Sequence, residues 1–384
     1  VAVQKLRSVE TKTTMNDNGI VFVGDLHLSD YIWKHKNIYG DSANSWHQIC
    51  DFCTKTSSDL VLLGDVLDTP RPSSSVIDEL VSGLNRLGDS GSAVYYIQGQ
   101  HCMAAPPWIY SLMRHSKGSF LHLGLDPVTT GQGIRLAGSD YVSPFTIEED
   151  LLDRVQDCDI LCAHLLFSEL CGGGSGDLEL QTLLDVMEDH GIQLAAVGDY
   201  HEAVSLTDNV FYTGSMCMRS LTEPPNKSFV HLDTTSMTLS SVPLSTRRVL
   251  RYLKVHTRDD LDNLINEMVN PELDHPELST LVYVEYSSQI AEANDLLVHA
   301  CRDAGYILWG KPVIISDDLE DTQGVISAPG VDLTVKECLL ADCPENTPAH
   351  EFILQLVESE DFRQVITDGR PEGVNKILDS RVSK

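Results

Sequence analysis

The chain predicts a layered α/β fold, and three observations carry that prediction. Five short apolar runs fall within the first 200 of its 384 residues. Helix-length amphipathic stretches lie between them, as in a sheet whose strands are connected through helices. Each run also ends on an Asp, His or Gln, usually just after a glycine, and ligands gather beyond the carboxyl ends of strands in such sheets.

Taken in order, GIVFV leads into GDLHLSD, which carries Asp25 and His27, and SWHQICDFCTK follows as a helix. DLVLL leads into GDVLDT, with Asp65 and Asp68, before the helical SSVIDELVSGLNRLG. AVYYI runs into GQHC, with Gln100, His101 and Cys102; DILCA ends on His164; QLAAV enters GDYHEA, with Asp199 and His201. NVFYTGSMCMRS adds a strand and a Gly-Ser turn, and SFVHLDTTSMTLSSVPL reads as a strand or hairpin. At PLSTR the register changes, and RRVLRYLKVHT enters a second, smaller unit. There RDDLDNLINEMVN has helical periodicity, TLVYVEYS is a strand, and IAEANDLLVHACRDAG is an amphipathic helix closed by glycine. The tail, LTVKECLLADC and AHEFILQLVESEDFRQVI, reads as helical with an apolar face, and there is no internal repeat.

Composition narrows the function classes. With 57 acidic against 27 basic residues the net charge is −30, which argues against a chain that grips nucleic acid through a broad basic surface of its own. The 42% hydrophobic content suffices for real cores. No apolar run approaches the roughly 18 residues that span a bilayer, and VAVQKLRSVETKTTM is too polar for a secretory signal, so a soluble protein is expected. Ten cysteines are scattered, and the single CxxC, Cys50 and Cys53, places two thiols on one helix face with no second pair to complete a zinc site. Buried free thiols fit a reducing, cytoplasmic setting.

Single Asp and His residues are ordinary, and His35, His47, His115 and His122 are read as surface or core residues. The set Asp25, His27, Asp65, His164 and His201 differs, because all five stand at strand ends in strand order. A shared Asp could bridge two cations roughly 3.5–4 Å apart, the spacing of two-metal phosphoester sites. Mixed carboxylate, amide and imidazole donors suit Mn²⁺, Fe²⁺ or Zn²⁺ better than Ca²⁺.

The motifs GDLH, GDVLD, GQHC, AHLL and GDYH resemble, in that order, the signature of the calcineurin-like metallophosphoesterases. FYTGSMCMRSLTEPPNKSFVHLD further resembles the segment that closes the nuclease domain of Mre11/SbcD-type DNA exonucleases, and the compact length looks like the phage-type subunits. The resemblance implies a β-sandwich core flanked by helices, then a small α/β capping domain and a helical tail. It divides the chain into an extension (1–18), a nuclease domain (19–245), a capping domain (246–330) and a tail (331–384). One cation, Mn²⁺ or else Mg²⁺, Fe²⁺ or Zn²⁺, would sit among Asp25, His27, Asp65 and His201. A second would share Asp65 and take Gln100, His164 and Asp199. His101 would position the phosphate and protonate the leaving oxygen, and Asp68 would brace the loop. The implied activity is 3′→5′ DNA exonuclease and single-strand endonuclease action in repair or recombination, alongside an SbcC/Rad50-like ATPase. The tail's apolar face could dock on that partner, and helices near 72–88 or 107–117 could form a homodimer. A phage-encoded chain would act in the host cytoplasm.

Three residues depart from the family pattern. Gln100 stands for asparagine, Asp199 for the first His of GHxH, and Cys102 for an acidic residue that braces the preceding histidine. Candidate DNA contacts are Tyr31, Trp33 and Lys34 in YIWKHK, with Arg247 and Arg248 in RRVLRYLK. The alternatives are a phosphatase of the same fold and a non-catalytic scaffold lacking the second metal.

Overall fold

The computed structural model describes residues 18–315 except 31–39, 103–117, 143–145, 148–150, 152–153, 172–175, 221–222, 270–278, 291–292 and 310–311. The helical tail, the 107–117 helix and the Tyr31, Trp33 and Lys34 contacts therefore lie outside the described residues.

Twelve strands form two six-stranded sheets. In chain order they are β1 (Gly19–Val23), β2 (Asp59–Leu63), β3 (Val94–Ile97), β4 (Phe120–His122), β5 (Val128–Thr129), β6 (Arg135–Ser139), β7 (Ile160–His164), β8 (Leu194–Gly198), β9 (Val204–Ser205), β10 (Val210–Tyr212), β11 (Ser228–Asp233) and β12 (Thr238–Pro243). The first sheet runs β12-β11-β1-β2-β3-β4 and the second β5-β6-β7-β8-β10-β9. Pairing is parallel from β1 through β4 and from β6 through β8, so the loops bearing the Asp and His residues leave the strands at the same ends.

The continuous apolar runs are explained by burial on both faces. Along β1, Ile20 and Phe22 face the core between the sheets, while Val21 and Val23 face outward beneath helices. The same alternation puts Val61 and Leu63 of β2 and Ile160 and Cys162 of β7 inside. Helices α1 (Asp41–Thr56) and α2 (Ser74–Ser90) cover the outer face of the first sheet. Helix α3 (Leu180–Asp189) covers that of the second. The result is the expected β-sandwich flanked by helices. Trp46 ties α1 to α2 by donating from Nε1 to the Glu79 carbonyl (3.1 Å). Cys50 and Cys53 lie fully buried on the inner side of α1 as free thiols, and burial pushes Cys50 up to about 12. His47 pairs with Glu79 at the surface, and His122 with Asp140.

The hairpin of β11 and β12 matches the reading of residues 228–244. A small α/β unit follows, with β13 (Arg248–Val255), helix α4 (Arg258–Val269), β14 (Ser279–Ser287), helix α5 (Ala293–Asp303), β15 (Ile307–Leu308) and β16 (Val313–Ile315). Its strands pair in parallel around β14, and both helices pack on one face through Leu261, Leu264, Val282, Val284 and Leu297. Among the described residues no helix is long and apolar enough to cross a membrane.

Candidate metal centre

The turns after β1, β2 and β8 hold unusual backbone. Asp25 (φ 48°), His27 (φ 44°), Asp65 (φ 43°) and Asp199 (φ 92°) all adopt the left-handed region, which costs a non-glycine residue on the order of 1–3 kcal/mol. Such strain persists only where surrounding contacts fix it. Here each turn is bonded to another: Asp199 N–H donates to Asp25 Oδ2 (3.0 Å), His101 N–H to Asp65 Oδ1 (2.8 Å), and His27 N–H to the Asp65 carbonyl (2.8 Å). Glycine is required where these turns touch. Gly64 has φ +89°, and a Cβ there would collide with the His164 ring; one on Gly99 would strike the Asp65 carboxylate.

These bonds decide which atoms face the centre. With Oδ2 of Asp25 and Oδ1 of Asp65 engaged by main-chain N–H groups, the opposite oxygens point inward. The imidazoles are oriented by the same logic, each through Nδ1. His164 Nδ1 donates to the Leu63 carbonyl (2.7 Å), His201 Nδ1 to Glu223 Oε1 (2.9 Å), and His101 Nδ1 to the Asp68 carbonyl (3.1 Å). His27 Nδ1 lies 3.4 Å from Asp68 Oδ1, too poorly aligned for a hydrogen bond, so that contact is electrostatic.

The Nε2 atoms converge. His27 and His201 Nε2 are 3.3 Å apart, and each is 3.9 Å from Asp25 Oδ1; His27 Nε2 is 3.8 Å from Asp65 Oδ2. Around the other side of Asp65 Oδ2, His164 Nε2 is at 3.7 Å, with Gln100 Oε1 2.7 Å and Asp199 Oδ1 3.8 Å from that nitrogen. His101 Nε2 completes the rim, 3.9 Å from Asp65 Oδ2. Asp25, His27 and His201, and likewise Asp25, Asp65 and His164, bring donor atoms within 4.8 Å of one another, as do His27, Asp68 and His101. The structure thus gathers Asp25, His27, Asp65, Gln100, His101, His164, Asp199 and His201 at one edge of the sandwich.

The donors fit divalent cations. Two donors each about 2.1 Å from one cation lie roughly 3.0–3.5 Å apart; the His27–His201 pair is at 3.3 Å, and the contacts to Asp25 Oδ1 and Asp65 Oδ2, at 3.7–3.9 Å, are a few tenths of an ångström wider. Asp25 Oδ1 is buried with no hydrogen-bond partner, and the Nε2 atoms of His27 and His201 meet beside it at 3.3 Å. A shared positive charge satisfies all three. Burial pushes the Asp25 carboxyl up and the His27 imidazole down from their ordinary values. At His164 burial opposes charge, but hydrogen bonding and charge from Asp65, then Asp25 and Asp199, overcome it and push the pKa up to about 9. Both its ring nitrogens face oxygen acceptors, so a cation replacing the Nε2 proton meets a site already arranged for positive charge.

The three departures resolve locally. Gln100 folds so that Oε1 faces His164 while Nε2 donates to Asp199 Oδ1 (2.5 Å). Cys102 does not touch the His101 ring; its sulfur accepts the Leu67 N–H (3.3 Å) and anchors the loop, while the Asp68 carbonyl orients His101. Asp68 also takes an ion pair from Arg219; burial opposes its charge, but His27 and then Arg219 hold its carboxyl well below the usual range.

The motif reading assigned no role to Glu223, Lys227, Ser215 or Arg219. Besides orienting His201, Glu223 receives Lys227 Nζ (2.7 Å), Ser215 Oγ (2.9 Å) and Arg219 N–H (3.0 Å) on Oε2. All four fall in FYTGSMCMRSLTEPPNKSF, the segment that carries the Mre11/SbcD resemblance. Of the proposed DNA contacts, Arg247 is exposed, whereas Arg248 is drawn into an ion pair with Asp41 (2.7 Å).

No family model and no curated protein matches the chain. Among solved structures it is similar to the TT1561 protein of Thermus thermophilus, with 12% identity over 59% of this chain and 99% of that one and a TM-score of 0.40. A structure described as a novel archaeal phosphodiesterase gives the same identity and coverage with a TM-score of 0.34.

Proposed function

We propose that the chain is a metal-dependent phosphodiesterase acting on DNA, the nuclease subunit of an Mre11/SbcD-type complex. One observation carries this: two donor sets, each with two carboxylates and differing by an imidazole against an amide, meet at a single oxygen, Asp65 Oδ2. Asp25, His27, Asp65 and His201 would hold one divalent cation, and Asp65, Gln100, His164 and Asp199 the other. Such a pair supplies Lewis acidity toward a phosphoryl oxygen and lowers the pKa of water.

The chain's own residues do the rest. Hydrolysis forms a bond from phosphorus to the water oxygen and breaks the one to a sugar oxygen, which must gain a proton. His101 suits that delivery, because its Nδ1 is bound to the Asp68 carbonyl and its Nε2 faces the rim. Asp68 holds His27 and His101 from below, and Glu223 holds His201.

The charge of −30 supports a partner that supplies positive surface, here an SbcC/Rad50-like ATPase, so the isolated chain should bind DNA weakly. Tight, salt-sensitive retention of DNA by this chain alone in a filter-binding titration would contradict that. The activity is tested by incubating the chain with end-labelled duplex and single-stranded DNA and Mn²⁺. Cleavage that EDTA abolishes and His101→Ala slows by about 10²–10⁴-fold is expected. Hydrolysis of a chromogenic phosphomonoester with no cleavage of DNA would transfer the reading to a phosphatase, and no hydrolysis of either would favour a scaffold.

A further inference from the structure

A cavity of about 630 Å³ opens beside His101, and none of the residues in the two donor sets lines it. Its inner end is formed by His101, Asp68 and Arg219, with the Arg219 guanidinium held against Asp68. Leu28 and Val76 give it an apolar floor, and Arg71 stands at its rim. The volume falls within the range of small-molecule sites, roughly 300–1,000 Å³, and is ample for one nucleotide.

Arg71 stands apart from other exposed arginines: Arg135, Arg258 and Arg302 each meet a carboxylate. Arg71 is exposed and has no ion-pair partner among the described residues; its main-chain N–H is fixed by Thr69 Oγ1 (3.1 Å). Of the acidic groups on the lining, Asp68 is paired with Arg219, and Asp30 accepts the Ser75 hydroxyl (2.5 Å). The lining thus holds one guanidinium, that of Arg71, in no ion pair among the described residues, beside an apolar floor. A sugar and base suit such a floor, and a backbone phosphate suits the guanidinium, which can bind it bidentately.

We propose that this cavity is the subsite for the nucleotide on the leaving-oxygen side of the scissile bond, with Arg71 binding the next phosphate along that strand. The proposal rests on the phosphodiesterase reading, because His101, which lines the cavity, is there the proton donor to the leaving oxygen. It assigns the chain a preference for substrates that extend past the scissile phosphate on that side, and makes Arg71 a specificity residue.

The test compares the full chain with Mn²⁺ on a short single-stranded oligonucleotide and on bis(p-nitrophenyl) phosphate, which has no second phosphate. Arg71→Ala should lower the ratio of kcat/KM values, oligonucleotide over small diester, about tenfold, through KM. It should also flatten the salt dependence of KM by about 0.7 in log–log slope, the release expected from one lost single-strand phosphate contact. Arg71→Lys should recover part of the ratio, and Lys55→Ala, an exposed base in the last turn of α1, should leave it at the wild-type value. An Arg71→Ala ratio and salt slope equal to wild type would overturn the subsite while leaving the phosphodiesterase reading intact. A wild-type chain inactive on both substrates would overturn the two together.

Discussion

Glu223 offers a prediction whose size follows from the geometry. Its carboxylate is about 10% exposed and joins four groups: the His201 ring, the Lys227 ammonium, the Ser215 hydroxyl and the Arg219 N–H. Glu223→Ala would leave Lys227, only 8% exposed, without its counter-ion, a loss of about 3–5 kcal/mol for a buried pair. Linkage gives a similar figure. Burial works against the Glu223 charge, but His201 and Lys227 hold its pKa at about 2, against roughly 4.3 in an unfolded chain. A folded pKa below the unfolded one means stability present above the unfolded value and lost as pH falls through the folded one. That amounts to ~3 kcal/mol between about pH 5 and pH 2. In EDTA-treated protein, Glu223→Ala should lower Tm on the order of 10 °C, at 2–4 °C per kcal/mol for a domain of this size. It should also flatten the acid limb of the stability curve. Because Glu223 fixes the His201 tautomer, Mn²⁺ affinity should fall about 10–100-fold by calorimetry. A variant with wild-type melting and wild-type Mn²⁺ affinity would refute the assignment of Glu223 as the support of His201.

Two further outcomes are expected. Gly64→Ala must force a Cβ at φ +89° into the His164 ring, so it should destabilise the fold by about 2–4 kcal/mol in urea titration, and a neutral effect would contradict the close approach. Native-state thiol labelling resolved by peptide mass spectrometry should reach Cys171, half-buried, before Cys50 and Cys53, whose thiols burial holds protonated; fast labelling of Cys50 or Cys53 would contradict the packing of α1.

The sandwich and its cluster were legible because the central strands are buried on both faces and so appear as unbroken apolar runs, each stopped by glycine and a donor. GIVFV, DLVLL and QLAAV all read this way. Strands β4, β5 and β6 gave no such signal: β4 and β5 are two or three residues long and only partly buried, and β6, RLAGS, is buried over four of its five residues but carries only two apolar side chains, Leu136 and Ala137. The support of the cluster was hidden for a different reason. His201 and Glu223 are 22 residues apart on separate turns, and only the folded β10–β11 connection brings Oε1 to Nδ1. His101 is oriented by the Asp68 main-chain carbonyl, a contact that no side-chain motif records, rather than by the side chain of its neighbour Cys102.

Anomalous diffraction from crystals grown with Mn²⁺ examines the central claim without reference to any substrate. Two peaks flanking Asp65 Oδ2 are predicted, one beside His27 and His201 and one beside His164 and Gln100, reduced in the Asp65→Asn variant. Manganese bound elsewhere, or no peak at this rim, would contradict the account.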